Sequence, residues 1–359
     1  MTEVLIVGTG LIGTSLGLAL TRAGYAVTLT DVSPTNAALA RDLGAGRLAA
    51  PGDRPDLVVV ATPPDVTGDC VAQALADHPD AAVTDVASVK GIVQAALVAR
   101  GAPVQRYCGS HPMAGRERSG AVSGRFDLFD GRAWVVTPSG DTRGDVRDLV
   151  ARMARDVGAA VVVLDPERHD AAVAAVSHVP QLAASLVAAR LGRLTDEAVA
   201  LAGQGLRDVT RIAASEPGLW TQILAGNAAA VRDVLRPLRD DLDAVLDALE
   251  ALTSSTDAPG ARAVLARTVA AGNAGHARIP GKHGAAPTAY ATVRVIVPDE
   301  PGQLGRLFAD VGETGTNIEE FRLDHGLGQA FGVAEVDVIP ASADALGVAL
   351  EARGWRLHS

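Results

Sequence analysis

The chain has 359 residues, of which 48 % are hydrophobic and 21 % are charged. At about 150 residues per domain this length predicts two or three domains, and the apolar share excludes a largely disordered chain. The formal net charge of -10 excludes a general attraction to phosphate backbones, so we expect no nucleic-acid partner.

The cysteines and the first residues bear on the compartment. Cys70 and Cys108 form no C-x-x-C pair, which favours a reducing environment and argues against structural zinc. The start, MTEVLIVGTG, lacks a basic region and runs into glycines, so it predicts a strand rather than a signal peptide. Apolar runs fall short of the about 20 residues of a membrane span. We expect a cytoplasmic protein with no metal site and no membrane association.

Short apolar runs alternate with longer amphipathic stretches up to about residue 164. The predicted strands are Val4–Val7, Ala26–Thr30, Leu57–Ala61, Ala82–Asp85, Gln105–Gly109, Ala133–Thr137 and Ala159–Leu164. The predicted helices between them are Leu11–Ala23, Pro34–Leu43, Val66–Ala76 and Val89–Arg100. This alternation predicts an α/β domain over residues 1–165, with a mainly parallel sheet covered by helices on both faces.

Residues 166–271 predict an all-α domain. Ala, Leu, Val and Arg dominate with helical spacing, and Pro180, Pro217 and Pro237 punctuate the pattern. Such a bundle often buries its apolar faces against a second copy, so we expect a homodimer; the alternative is a self-contained bundle.

The last part of the chain predicts a linker and a third domain. Residues 272–289 are rich in Gly, Ala and Pro and lack periodicity, which indicates a linker. Residues 290–359 predict strand Thr292–Val297, helix Gln303–Glu313, strands Asn317–Asp324 and Ala330–Val338, helix Ala341–Arg353 and a short last strand. This βαββαβ order is typical of a ferredoxin-like α+β domain.

A glycine pattern follows the first predicted strand. Gly8-Thr9-Gly10-Leu11-Ile12-Gly13 matches G-x-G-x-x-G between an apolar strand and an apolar helix, the context that indicates a Rossmann-type dinucleotide site. Asp31 ends the second strand about 20 positions later, where an acid accepts ribose hydroxyls and repels a 2′-phosphate. We therefore predict NAD rather than NADP as cofactor; the alternative is a glycine-rich turn without a nucleotide.

Polar residues follow two later strands. Ser88 and Lys90 follow the strand ending at Asp85, and His111 lies in GSHPMAG after the next predicted strand. Ligands of parallel sheets bind beyond the carboxyl ends of strands, so these residues should converge near the nicotinamide. His111 can accept a hydroxyl proton, and Ser88 can hold its ring in one tautomer. Lysine occurs only twice in this arginine-rich chain, and Lys90 is expected to support the cofactor or the loop.

Two segments of the helical region also carry polar groups. Arg207 and Arg211 are four positions apart and can clamp carboxylates from one helix face, or can simply be solvated. His169 and His178 would point to opposite sides of a continuous helix, which argues against a shared metal.

Together these segments resemble the prephenate/arogenate dehydrogenase family of tyrosine biosynthesis. The resemblance runs through GTGLIG, ATPP at 61–64, TDVASVKG, GSHPMAG, SHVPQ and GLRDVTRIA, over about residues 1–250. It implies NAD-dependent oxidative decarboxylation of prephenate to 4-hydroxyphenylpyruvate. It also implies a catalytic His111 with Ser88 as partner, and substrate contacts from Arg211 and His178, with Arg207 beside them. The expected cofactor contacts are Gly8, Gly10, Leu11, Ile12, Gly13, Asp31, Thr62 and Lys90.

One position departs from the family pattern. Many members have a second histidine after the proline of S-H-x-P-H, where this chain has Gln181. That position lies near the substrate side chain, so prephenate is favoured and arogenate stays an alternative. Two other readings also remain: a hydroxyacid or imine oxidoreductase of similar build, and a sensor without turnover.

The C-terminal domain resembles an ACT domain, a module that commonly binds amino acids. Its first turn is Asp299-Glu300-Pro301-Gly302-Gln303-Leu304. The helix that starts there offers free N–H groups for an effector carboxylate. We expect Asp299, Pro301, Gly302, Gln303 and Leu304 to bind an aromatic amino acid, with tyrosine as feedback inhibitor; the alternative is a domain that only assists oligomerisation.

Overall fold

The structure is a computed structural model that describes residues 1–115, 120–280, 290–325 and 330–358. The chain forms two compact units, Met1–Arg239 and Asp240–Ser359. The boundary predicted between residues 165 and 166 falls inside the first unit.

Five parallel strands form the first sheet, in the order β3-β2-β1-β4-β5. They are β1 (Glu3–Val7), β2 (Ala26–Thr30), β3 (Arg47–Leu48), β4 (Leu57–Val60) and β5 (Ala82–Asp85). The helices beside them are α1 (Leu11–Arg22), α2 (Pro34–Asp42), α3 (Pro64–Asp77) and α4 (Gly91–Ala99). Every residue of β4 is buried, because helices cover both faces of the sheet. The predicted Rossmann-type domain is confirmed.

Core side chains lie on both faces of this sheet. Val4 and Ile6 of β1 pack in one cluster with Leu16 of α1, and Leu5 packs in another with Val71 of α3. Alternate residues of one strand therefore enter opposite cores, which fixes the register of the sheet.

A second sheet combines antiparallel and parallel pairing. Its strands are β6 (Gly109–Pro112), β7 (Ala133–Thr137) and β8 (Ala160–Val163), in that order, and α5 (Gly144–Asp156) connects the last two. β6 is antiparallel to β7, which is parallel to β8. The prediction of mainly parallel strands is therefore confirmed, with β6 as the exception.

The prediction of a strand at Gln105–Gly109 is wrong except at its last residue, Gly109, where β6 begins. Residues Val104–Arg106 form a 3-10 turn, and the GSHP segment itself is the strand. The guanidinium of Arg106 explains the turn, because it donates hydrogen bonds of 2.6–2.9 Å to the carbonyl groups of Leu75, His78 and Ala81 near the end of α3. His111 consequently lies within a strand and not in a loop after one.

Helices fill the remainder of the first unit, as predicted, and the last of them continues into the second unit. They are α6 (Pro166–Val173), a π turn (Ala174–His178), α7 (Val179–Leu191), α8 (Asp196–Val199), α9 (Gln204–Thr210), a 3-10 turn (Arg211–Ala213), α10 (Pro217–Gly226) and α11 (Ala228–Ser254). Pro217 lies in the first turn of α10, where a missing N–H costs nothing, whereas Pro180 directly follows the π turn within a longer helical stretch. Pro237 was expected to punctuate the pattern, but it lies inside α11.

α6, the π turn and α7 run on as one helical stretch. Pro166–Leu191 is long and apolar enough, by length and composition alone, to cross a membrane. The sequence pattern missed this stretch because polar residues interrupt it; two of them, His169 and Asp170, are buried. Core helices of soluble proteins pass the same test, and a buried acid is costly in lipid.

α12 (Ala261–His276) corrects the start of the predicted linker. The helix continues through residues 272–276 because alanines and Asn273 surround the two glycines that suggested a break. The rest of the predicted linker, residues 281–289, lies outside the described residues.

The second unit also holds a four-stranded antiparallel sheet. The elements are β9 (Ala291–Pro298), α13 (Gln303–Glu313), β10 (Glu320–His325), β11 (Phe331–Val338), α14 (Pro340–Ala352) and β12 (Arg356–Leu357). The sheet order is β10-β11-β9-β12, and its core contains Val295, Leu307, Val336 and Leu350. The order of elements is the βαββαβ order expected from the sequence.

Candidate active site

Three glycines shape the turn between β1 and α1. Gly8 has a φ of 100°, and a Cβ there would lie 2.5 Å from the carbonyl oxygen of Ala61. A Cβ on Gly13 would lie 1.9 Å from the carbonyl oxygen of Gly8, whereas a Cβ on Gly10 would meet nothing within 4 Å. The chain itself therefore requires Gly8 and Gly13, and Gly10 borders open space that a ligand can approach.

The start of α1 suits an anion. Gly10 is the N-cap and brings no side chain to the first-turn N–H groups, which together with the helix dipole favour a phosphate. Leu11 and Ile12 form this first turn and are half-buried. The turn thus has the donors and the space that a dinucleotide diphosphate needs.

Asp31 is held at the carboxyl end of β2 by donors from the protein. Its carboxylate accepts hydrogen bonds from the backbone N–H of Thr9 at 2.7 Å, from the Thr9 hydroxyl at 2.9 Å and from the Ser33 N–H at 2.8 Å. Carboxylate oxygens keep further acceptor sites for ribose hydroxyls. Thr62 lies just beyond β4, with its Oγ1 3.2 Å from that of Thr67. The residues present fit NAD.

Lys90 is buried beside β5 and β6. Its side chain is 1 % exposed, forms an ion pair with Asp85 and donates a hydrogen bond of 2.7 Å to the carbonyl oxygen of Ser110. Tyr107 donates to the other oxygen of Asp85 at 2.6 Å, and burial beside this carboxylate raises the pKa of Tyr107 well above its usual value. Lys90 therefore ties β5 to β6 from inside the protein, and its expected role in supporting the cofactor or the loop stays a prediction.

His111 lies on β6 and contacts a second imidazole. Its Nδ1 is 2.9 Å from Nε2 of His169, and the two rings meet edge to face with centroids 5.1 Å apart. Burial, together with the positive charges that His169, Lys90 and His178 can carry, lowers the pKa of His111 well below 6.5. The ring is therefore neutral near pH 7 and can act as a base.

Asp170 holds His169 and the start of α4 together. Its Oδ1 lies 2.8 Å from Nδ1 of His169 and accepts the backbone N–H of Lys90 at 2.9 Å, and its Oδ2 accepts the N–H of Gly91 at 2.8 Å. Burial raises the pKa of Asp170, but these hydrogen bonds and His169 outweigh it, so the pKa lies below its usual value. A carboxylate from α6 thus caps α4 and fixes a histidine beside His111.

His178 is held through the amide of Asn227. The Asn227 Nδ2 donates to the carbonyl oxygen of Asp170 at 2.8 Å and lies 3.2 Å from Nδ1 of His178. Because this nitrogen can only donate, Nδ1 of His178 accepts and its Nε2 carries the hydrogen. Burial lowers the pKa of His178, with Asp170 opposing and His169 adding to the effect. His178 is therefore a neutral ring that can donate a hydrogen bond from Nε2.

A π turn interrupts the continuous α-helix that was assumed between His169 and His178. The prediction assumed a continuous α-helix, but Ala174–His178 has five-residue hydrogen bonding, which shifts the phase of every later side chain. Asn227 contacts residues on both sides of this turn, the carbonyl oxygen of Asp170 and the ring of His178. Sequence reasoning weighed His169 only as a metal ligand and missed its contact with His111; the signal available was the buried His-Asp pair within an apolar helix.

Ser88 was expected to hold the ring of His111. It lies half-buried between β5 and α4. Within the described part of the chain, the hydrogen bond at Nδ1 of His111 goes to His169, and the structure gives Ser88 no bond to that ring. The contact that orients His111 therefore comes from the helical region, and the role of Ser88 stays a prediction.

Gln181 and the arginine segment lie close to each other. Gln181 is buried, and its Oε1 lies 3.4 Å from the Ser215 hydroxyl, which follows the Arg211–Ala213 turn. Arg207 on α9 and Arg211 on the turn after it are exposed, and neither guanidinium makes an ion pair with an acid among the described residues. Both arginines therefore keep their donors available for an anionic ligand.

The expected effector turn connects β9 to α13. Asp299 donates its N–H to the carbonyl oxygen of Ala330 at 3.0 Å, and Gly302, with a φ of 88°, is the N-cap of α13. Gln303 follows, and its Oε1 is buried with no hydrogen-bond partner among the described residues. Pro301 is exposed and Leu304 half-buried. The turn leaves the first N–H groups of α13 without a side-chain cap.

Two family models match the chain. Residues 16–163 match the nucleotide-binding domain of prephenate dehydrogenase, and residues 165–266 match the prephenate dehydrogenase dimerization domain. A protein named probable prephenate dehydrogenase NovF, from Streptomyces niveus, is 35 % identical over 364 residues, covering 100 % of both chains.

Solved structures are similar over about three quarters of the chain. Prephenate dehydrogenase from Aquifex aeolicus, in complex with hydroxyphenyl propionate and NAD+, is 28 % identical with a TM-score of 0.63, over 76 % of this chain and 98 % of that one. Synechocystis arogenate dehydrogenase is 25 % identical with the same TM-score of 0.63, over 76 % and 99 %.

Proposed function

Because the chain belongs to the prephenate dehydrogenase family, we propose that it catalyses the NAD-dependent oxidative decarboxylation of prephenate to 4-hydroxyphenylpyruvate. The observation that carries this proposal is the neutral imidazole of His111, held by His169 in a chain that also carries the glycine turn and Asp31. The ring of His111 supplies a base, and the same unit contains the residues that fit NAD, the hydride acceptor.

NAD, held by the glycine turn and Asp31, supplies a hydride acceptor. His111 takes the proton of the ring hydroxyl of prephenate as the hydrogen on the same carbon leaves as hydride, and it returns that proton to the phenolic oxygen of the product. The bond to the ring carboxylate breaks, CO₂ leaves, and its electron pair completes the aromatic ring. Aromatisation makes this step downhill, so the protein only has to orient the substrate and hold one proton.

The substrate is a dianion, and the helical region supplies its partners. Arg211 pairs with a carboxylate, with Arg207 beside it, because a guanidinium holds a carboxylate with two parallel hydrogen bonds. The Nε2–H of His178 donates a third hydrogen bond. Binding through these groups places the hydroxyl-bearing carbon between His111 and the cofactor.

Prephenate and arogenate differ only in the side chain, which ends in a keto acid or an amino acid. Gln181 is uncharged, so it neither repels the ammonium group of arogenate nor adds a cation for the keto acid, and arogenate is the second candidate. The deciding measurement is kcat/KM for both substrates with NAD. A higher value for prephenate supports the proposal, and a higher value for arogenate replaces it with the second candidate. Gln181→His should shift the ratio toward prephenate.

The same proposal includes a cytoplasmic homodimer. Large apolar side chains of the helices stay exposed in the single chain, among them Leu186 and Val187 on α7 and Leu242, Leu246 and Leu249 on α11. Spacings of three and four residues place the three leucines of α11 on one face. Sedimentation of the purified protein checks the assembly; a monomer at micromolar concentration contradicts it.

The C-terminal unit is proposed to bind an aromatic amino acid, with tyrosine as feedback inhibitor. The uncapped N–H groups at the start of α13 suit a carboxylate, and the Oε1 of Gln303, which has no partner among the described residues, suits an ammonium group. Calorimetric titration of the full chain with tyrosine, phenylalanine and tryptophan tests this. Gln303→Ala should weaken binding. If none of the three amino acids binds, the proposed effector site is wrong.

A further inference from the structure

We propose that His169 and Asp170 are positioning residues that fix His111 in one tautomer, so that Nε2 of His111 is the nitrogen that receives the substrate proton. This inference rests on the proposed function, because it assigns the reacting nitrogen of the same base. Neither His169 nor Asp170 was expected to take part in the reaction, and both come from α6 rather than from the sheet.

The chain of hydrogen bonds determines where each hydrogen lies. Asp170 has a lowered pKa and is ionised, so its oxygens only accept, and Nδ1 of His169 must donate to it. In the neutral ring Nε2 of His169 then carries a lone pair. The 2.9 Å distance from this nitrogen to Nδ1 of His111 requires one donor and one acceptor, so His111 donates from Nδ1. The free lone pair of His111 is therefore on Nε2.

A charged His169 would reverse this order, because it would donate from both nitrogens and leave the hydrogen of His111 on Nε2. His169 is 0 % exposed, and the oxygens of Asp170 already accept two backbone N–H groups. The nitrogen of His111 that carries the hydrogen distinguishes these two orders directly.

The arrangement also supports the moment of proton transfer. When Nε2 of His111 takes the proton, the ring becomes positive, and its Nδ1–H already points at His169, whose own hydrogen points at the Asp170 carboxylate. The charge is stabilised through two aligned hydrogen bonds, and no proton needs to reach Asp170. His178 differs, because Asn227 leaves a hydrogen on its Nε2. The ring of His111 can therefore accept a proton at Nε2, whereas the ring of His178 can donate a hydrogen bond from Nε2.

The first test is the tautomer itself, measured in the wild-type chain. With ¹⁵N-labelled histidine, the NMR signals of His111 are assigned among the eight histidines as those missing from His111→Asn. We expect a protonated Nδ1 and an unprotonated Nε2 near pH 7.5, with NAD bound. The reverse pattern overturns the proposal. This measurement needs no turnover, so it tests the tautomer separately from the proposed function. The tautomer can be the reverse of the expected one even if His111 is essential for the reaction. It can also be the expected one even if His111 is dispensable.

The second test separates positioning from packing. His169→Leu has a similar volume and no acceptor, whereas His169→Gln places a carbonyl oxygen near the position of Nε2. We expect His169→Leu to lower kcat by roughly 10²-fold with the KM for prephenate and the Kd for NAD little changed, and its His111 signals to show both tautomers. His169→Gln should recover most of kcat and the single tautomer. Equal losses in both variants, with an unchanged His111 tautomer, would overturn the assignment.

Discussion

The glycine turn after β1 and the histidine cluster of His111, His169 and His178 differ in how the chain builds them. The turn consists of six consecutive residues, and its contacts are made by the backbone. The cluster joins side chains from β6, α6 and the π turn, 58 residues apart at its closest contact. A backbone site depends on which positions lack a Cβ, whereas a side-chain site depends on how distant elements pack. The two should therefore respond to substitution in different ways.

The largest expected effect is at the cluster. His111→Asn should lower kcat by roughly 10²–10⁴-fold, because the base is lost, while the Kd for NAD stays the same since the turn is untouched. Steady-state NADH formation and NAD titration measure the two quantities. His276→Asn, exposed at the end of α12, is the matched control. Near-normal turnover of His111→Asn would show that the cluster takes no part in the reaction.

The next effect concerns the anionic substrate. Arg211→Ala should raise the KM for prephenate by roughly 10- to 150-fold, the equivalent of about 1.5–3 kcal/mol of charged hydrogen bonds, with little change in NAD binding. Arg193→Ala, exposed beyond α7, is the control. If both variants show the KM of the wild type, Arg211 is a solvated surface residue.

Two glycine-to-alanine substitutions distinguish a glycine that the fold requires from a glycine that the bound cofactor requires. Gly13→Ala places a Cβ 1.9 Å from a backbone oxygen, so it should lower the free energy of unfolding by about 1–3 kcal/mol as well as weaken NAD binding. Gly10→Ala meets nothing in the protein, so its melting temperature should stay the same while the Kd for NAD rises about tenfold or more. Thermal melts and NAD titrations check both; a destabilised Gly10→Ala with normal affinity would contradict the roles.

The smallest expected effect is on cofactor choice. Asp31→Ser removes the carboxylate that would repel a 2′-phosphate, so the ratio of kcat/KM for NAD over NADP should fall by about tenfold. The hydroxyl of serine can still accept a ribose hydrogen bond, which limits the loss with NAD. Ser33→Ala, next to the carboxylate, is the control. An unchanged ratio would place the ribose elsewhere.

The sequence was sufficient where the determinants are local. G-x-G-x-x-G between a strand and a helix predicted the turn, and apolar runs predicted most strands to within one or two residues. The predictions from the sequence failed where residues distant in the chain determine the local structure. Arg106 reaches back to α3 and removes a predicted strand, and the burial of Lys90 beside Asp85 has no local signature. The π turn that separates His169 from His178 is equally invisible, so the base was predicted but its support was not.

Asp170 of α6 caps α4, so the nucleotide-binding part of the first unit and its helical part contribute different groups to the site. Residues 1–165 contain the whole dinucleotide turn, yet the groups that orient the base begin at His169. A fragment ending before α6 would keep the parts that bind NAD and lose the reactive tautomer together with both arginines. Grafting this nucleotide-binding half onto a foreign helical partner would therefore preserve cofactor binding but not turnover, unless the partner brought its own histidine and acid to the same edge.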